Sequence, residues 1–216
     1  MGDAVTIARL REQIRALEGG ARVEGHRRLS GLPALDTLLG GLVQPGLVEI
    51  SGPEGSGGVR FALALVAEET RRRRNGVWVD RARSLYPPAA LAAGVDLDRL
   101  LIVRPPSSCA EGGRHAGTWA VEQVLRSGCF GLVVATEGLD PLGQPQQEHR
   151  FAGSRWRQAA EQGGCTGLFV TRSPSLRRIL QADVRLGLEG RTLTVLRDRH
   201  GASGGRALLP PWPEDA

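Results

Sequence analysis

Apolar positions in the first twenty residues recur at helical spacing: Ile7, Leu10, Ile14 and Leu17, with Arg9, Arg11, Glu12, Arg15 and Glu18 between them. This predicts an amphipathic helix over 1–20 with a narrow apolar seam, ended by Gly19-Gly20. The polar stretch 21–28 reads as a linker. Beyond it, short apolar runs alternate with helical periods. Runs at Leu47–Ser51, Val77–Asp80, Leu100–Arg104, Gly131–Ala135 and Gly167–Thr171 predict buried strands. Gly57–Arg74, Pro88–Ala93, Gly117–Ser127 and Ser154–Gln162 predict helices. That alternation is the βαβ rhythm of a mainly parallel sheet covered on both faces. Ser175–Leu180 also reads as helical. The period then changes: Asp183–Leu188 and Thr192–Arg197 flank a Glu189-Gly190-Arg191 turn and predict an antiparallel hairpin. Residues 201–216 predict a turn, a short edge strand and an irregular tail around Pro210-Pro211-Trp212-Pro213.

With 216 residues the chain is long enough for one domain of ordinary size with a sizeable core. No apolar run approaches the roughly 20 residues of a membrane span, and Met1-Gly2-Asp3-Ala4 does not open a signal peptide, so the expectation is cytoplasmic with no membrane partner. Cys109, Cys129 and Cys165 are an odd number without a C-x-x-C pair, which argues against a disulfide framework or metal site. Cys129 and Cys165 each precede an apolar run and are expected to be buried. His26, His115, His149 and His200 have no metal-ligand spacing. The net charge of +5 permits an acidic partner such as nucleic acid. All 28 basic residues are Arg, as a GC-rich genome would favour, so part of that signal is compositional.

The candidate chemistry centres on Gly52-Pro53-Glu54-Gly55-Ser56-Gly57-Gly58-Val59, between a predicted strand and a predicted helix. A working phosphate loop reads G-x-x-x-x-G-K-[ST]: its Lys reaches the β/γ-phosphates and its hydroxyl sits on Mg²⁺. Gly52 and Gly57 keep the frame. The Lys position is Gly58 and the hydroxyl position is Val59. The stretch is either a phosphate loop stripped of its chemistry or an ordinary glycine-rich turn.

The run from Leu29 through Gly31-Leu32-Pro33-Ala34-Leu35-Asp36 to Gly40-Gly41-Leu42, then Pro45-Gly46-Leu47-Val48-Glu49-Ile50-Ser51-Gly52-Pro53-Glu54, resembles the opening of the core of RecA-type recombinases. Val95-Asp96-Leu97-Asp98-Arg99-Leu100 and Asp183-Val184-Arg185-Leu186 extend the likeness in the same order. The resemblance implies a RecA-like core over 29–200: a mainly parallel twisted sheet flanked by helices, with a C-terminal antiparallel hairpin, a protruding N-terminal helix (1–20), a linker (21–28) and an edge strand with a Pro-rich tail (201–216).

The departures from that family bear on function. The catalytic Glu expected after Asp80 is Ala82. The Asp expected at the end of the 131–135 strand is Ala135, followed by Thr136. The polar sensor pair is Val170-Thr171. An ATPase needs charge stabilisation of the γ-phosphate, a held metal and an oriented water. The pattern therefore implies a protein that is not an enzyme and has no cofactor. Such a chain is similar to the ImuA family of RecA-like accessory proteins of bacterial SOS mutagenesis, which shares the Arg/Leu-rich first helix and the missing Lys. That likeness implies an adaptor in translesion synthesis, with RecA, an ImuB-type inactive Y-family polymerase homologue and, through it, an error-prone DnaE-type polymerase as partners. A SulA-like division inhibitor and a DNA-binding recombinase-like protein with residual nucleotide binding are the alternatives.

Two sets of side chains are candidate interaction sites. Arg150, Arg155, Arg157 and Trp156, with Arg177 and Arg178, could follow phosphates and stack bases of a single strand; the competing reading places Trp156 in the core. The Arg71–Arg74 run ends a helix, where cations are favoured by its dipole. Ile7, Leu10, Ile14 and Leu17 are candidates for partner binding in a groove, as is Trp212 in the tail. Leu10→Asp combined with Leu17→Asp is expected to abolish docking on RecA or on a second copy of the chain. Co-sedimentation with purified RecA reads this, with an unchanged melting curve as the control; unaltered affinity overturns the assignment.

Overall fold

The computed structural model describes residues 26–106, 116–136, 152–172, 180–199, 201 and 203–211. Among the described residues ten strands and five α-helices follow in chain order: β1 (His26–Arg28), α1 (Pro33–Leu39), β2 (Leu42–Gln44), β3 (Gly46–Ser51), α2 (Gly58–Arg71), β4 (Gly76–Val79), α3 (Pro87–Ala92), β5 (Leu100–Val103), α4 (Ala116–Arg126), β6 (Leu132–Ala135), α5 (Ala152–Gly163), β7 (Thr166–Thr171), β8 (Val184–Glu189), β9 (Thr192–Asp198) and β10 (Arg206–Leu208). Eight strands form one sheet in the order β10-β9-β8-β3-β7-β6-β4-β5. From β8 to β5 all neighbours are parallel; β9 and β10 are antiparallel. Among the described residues no helix is long and apolar enough to cross a membrane.

Every residue of β3, β4 and β6 is buried, as a parallel sheet with both faces covered requires. On one face Leu35, Phe61, Leu65 and Trp78 join a core built by α1, α2 and α3. On the other, Val77, Leu125, Trp156 and Phe169 pack beneath α4 and α5. The two cores explain why the central runs read as continuous apolar stretches while β8 and β9 alternate.

Three expectations are corrected. The stretch 21–28 is not wholly a linker, because His26–Arg28 is a strand paired with Leu42–Gln44. Its side chains are polar, and it is held by distant ion pairs: Arg27 to Asp198 at 2.7 Å, and Arg28 to Glu69. The helix expected over Gly57–Arg74 stops at Arg71, since Arg73 takes φ 58° and breaks the ladder. Cys129 is exposed, whereas Cys165 is buried with its thiol donating to the Leu125 carbonyl at 3.3 Å. The helix α1 was not expected at all. Its signals are local: Pro33 in the first turn, and Gly40 at φ 73° after Leu39, donating to the Asp36 carbonyl. The N-terminal segment 1–20 and all of Ser175–Leu180 but its last residue lie outside the described residues.

A buried carboxylate ties the centre of the sheet to its C-terminal third. Glu49 on β3 is fully buried, accepts from the Thr171 hydroxyl on β7 at 3.0 Å, and pairs with Arg185 on β8 at 3.0 Å. Glu49→Ala leaves Arg185 without its countercharge and is expected to cost about 3 kcal/mol, typical of removing one member of a buried pair, read as a lowered urea midpoint. Burial also pushes the Cys165 thiol from its ordinary value up to about 12. The folded state therefore holds this proton more tightly than the unfolded chain. The associated stability is whole below about pH 9 and is lost as the pH rises towards about 12. Relative to Cys165→Ala, the parent chain should lose thermal stability across that window; parallel curves would contradict the assignment.

Candidate functional site

β3 ends at the carboxyl edge of the sheet, and the chain turns through Gly52–Gly57 into α2. Backbone geometry favours glycine along this loop, at Gly52 and Gly57 among others. Gly57 sits at φ 91° immediately before the helix, a region closed to most residues. A side chain at Gly52 would run into the Leu188 carbonyl. The loop borders an open cleft of about 490 Å³ whose lining includes Gly52, Gly57, Arg60, Thr171, Arg172 and Arg191. Glu54 is exposed on the rim and pairs with Arg172 at 3.0 Å. Three arginines against one glutamate make the cleft cationic, and the positive end of α2 adds to it. The sequence did not single out Arg172 and Arg191; they reach the cleft because β7 and the β8–β9 turn end at the same edge of the sheet.

The loop carries Gly58 and Val59 where a phosphate loop places Lys and a hydroxyl. A Cβ at Gly58 would lie 3.0 Å from a Val170 methyl, so the first turn of α2 is pressed against the end of β7. Asp80, at the end of β4, is fully buried and engaged: it accepts from the backbone N–H groups of Ser84 at 2.9 Å and Leu85 at 3.2 Å, and pairs with Arg104 at 3.2 Å. It clamps the turn after β4. Ala82 is exposed in that turn. Ala135 ends β6, and the Thr136 hydroxyl beside it is buried without a hydrogen-bond partner. Thr171, at the sensor position, gives its hydroxyl to Glu49. Among the described residues no group of His, Cys, Asp or Glu could hold a metal ion.

The nucleic-acid candidates among the described residues, Arg155, Trp156 and Arg157, do not assemble into a surface. Trp156 is 1% exposed, stacks on Phe169 with ring centroids 4.9 Å apart, and donates from its indole nitrogen to the Thr118 carbonyl at 3.1 Å. It belongs to the core and is closed to a base. Arg157 is committed to the buried Asp183, and Arg155 lies 3.4 Å from the buried Glu122. The physical reason is that α5 turns these side chains towards carboxylates on β8's leading loop and on α4. Three arginines of the 71–74 run are likewise engaged: Arg71 with Glu68, Arg72 with the Leu29 carbonyl, and Arg74 near Glu69. Arg150, Arg177 and Arg178 lie outside the described residues, as do the partner-binding candidates Ile7, Leu10, Ile14, Leu17 and Trp212.

A glycine loop joining a central strand to a helix, within a mostly parallel sheet that finishes in an antiparallel hairpin, defines a RecA-like α/β domain. The family model of the RecA N-terminal domain matches residues 12–141, and the chain belongs to that family. It is 38% identical over 106 residues to the protein RecA of Nostoc punctiforme, covering 49% of this chain and 28% of the relative. It is 30% identical over 161 residues to the DNA repair protein recA homolog 1, chloroplastic, of Arabidopsis thaliana, covering 70% of this chain and 36% of the relative. The chain thus spans only 28% and 36% of the length of these two relatives.

Proposed function

We propose that this RecA-related protein is a non-catalytic adaptor in DNA-damage-induced translesion synthesis, of the ImuA type, working in the cytoplasm. Its partners in this reading are RecA and an ImuB-type inactive Y-family polymerase subunit, with an error-prone DnaE-type polymerase recruited through the latter. The observation that carries the reading is the loop itself. The glycines that shape it remain, while Gly58 and Val59 stand where phosphate and metal would be held. Three further features support it. Ala82 and Ala135 replace the carboxylates that would orient water and metal, Thr171 serves Glu49, and Asp80 is absorbed in a turn. A phosphoryl-transfer site without its phosphate lysine, its metal ligands and its base keeps the backbone frame but lacks the side chains that carry that chemistry.

Affinity capture of the tagged chain from cells after DNA damage, combined with a Mg²⁺-ATP titration of the pure protein, tests this. Recovery of RecA or a Y-family-like subunit, with no saturable ATP binding, is the expected result. Recovery of a tubulin-like division protein without repair proteins would overturn it in favour of division control. Saturable Mg²⁺-ATP binding with turnover would restore an ATPase.

A further inference from the structure

The segment that carries the chain from β4 to β5 leaves an apolar face in water. From Ser84 to Val95 no residue is charged. Leu85, Ala90 and Val95 enter the core beneath α3. Tyr86 is 66% exposed and Leu91 62% exposed, and Pro88 and Ala92 are exposed with them. Pro88, Leu91 and Ala92 stand at spacings i, i+3 and i+4, so they share the outward face of α3, and Tyr86 precedes its first turn. Single apolar side chains are ordinary on a protein surface; a contiguous apolar face marks a contact.

Opposite charges bracket this face. β4 and β5 are parallel neighbours, so α3 returns the chain from the carboxyl edge of the sheet to its amino edge. Arg83 is exposed in the turn at the carboxyl edge, at φ 54°. Asp98 is exposed at the amino edge, in the 3₁₀ turn Leu97–Arg99. Its neighbour Arg99 is engaged elsewhere, by Asp96 at 3.4 Å and by the Arg73 carbonyl at 3.1 Å. Among the described residues neither Arg83 nor Asp98 has an ion-pair partner. A surface that is positive at one end, apolar in the middle and negative at the other is complementary to itself when turned end for end.

We propose that α3 is the centre of an isologous contact between two copies of this chain. A two-fold axis through the middle of α3 sets the two helices antiparallel. It lays Tyr86, Pro88, Leu91 and Ala92 of each copy on the same face of the other, and it brings Arg83 of one copy to Asp98 of the other, twice per dimer. A parallel arrangement would set arginine against arginine. Exposed charge pairs add little affinity, so the apolar face supplies the attraction and the charges fix the register. The face is small beside the roughly 20–30 residues a side of a standard interface, so association in the micromolar range is expected. The contact depends neither on the glycine loop nor on the adaptor role.

Sedimentation velocity across the micromolar range tests this on the full chain, Leu91→Asp, Arg83→Asp, Asp98→Arg, and Arg83→Asp combined with Asp98→Arg. Asp is chosen at position 83 because it tolerates left-handed backbone. The parent chain is expected to dimerise as its concentration rises. Leu91→Asp should abolish the dimer and leave the melting temperature unchanged, since that side chain faces water in the single chain. Each single reversal sets like charges together twice and should weaken the dimer roughly tenfold. The double variant restores opposite charges across the axis and should recover it. A parent chain that stays monomeric overturns the proposal. So does a dimer that Leu91→Asp leaves intact, or one that the double variant fails to restore. A dimer lost in Leu10→Asp with Leu17→Asp but kept in Leu91→Asp would move the contact to the N-terminal seam and overturn it as well.

Discussion

A carboxylate buried in mid-sheet, Glu49, fixes how the two halves of this domain meet. Its oxygens face the Thr171 hydroxyl on one neighbouring strand and the Arg185 guanidinium on the other. An isolated charge at that depth would be prohibitively costly, so β7, β3 and β8 must stay in register to satisfy it. Everything at the carboxyl edge depends on that register. The glycine loop leaves from Ser51, Arg172 follows Thr171, and the Gly190-Arg191 turn follows β8, so one pair aligns three walls of the cleft.

A second set of ion pairs binds the periphery to this frame. Asp183 accepts from the Leu47 N–H at 2.9 Å while pairing with Arg157. Arg28 reaches Glu69 on α2, and Arg27 reaches Asp198 at the end of β9. Much of the basic charge that composition offers to an acidic partner is thereby spent inside the molecule. The cationic surface that does converge is the cleft, where the backbone frame of a phosphate loop survives beside arginines contributed by β7 and the hairpin turn. Its shape and its charge come from different stretches of the chain.

Much of the architecture was legible because the signal is local. Val77 to Val79 and Leu132 to Ala135 are apolar throughout, and Leu47 to Ile50 is interrupted only by Glu49, as suits strands buried on both faces. Glu189-Gly190-Arg191 marks its hairpin through a glycine at φ 57°. The glycine loop is legible for the same reason, since its conformation excludes other residues. The strand His26–Arg28 was not legible: its polar side chains are stabilised by carboxylates 41 and 171 positions away. Trp156 beside Arg155 and Arg157 resembles a stacking site in one dimension. On α5 the tryptophan points inward, and the arginines meet Glu122 and Asp183.

The sequence by itself determined the order of the central strands and helices, the mainly parallel sheet, the glycine loop and the residues that stand in it, because periodicity and backbone sterics act over a few residues. Tertiary structure alone decided which charges are neutralised, which aromatic is buried, and that Arg60, Arg172 and Arg191 share one cleft. Those outcomes depend on distances between groups far apart in the chain, and only the packed sheet sets them.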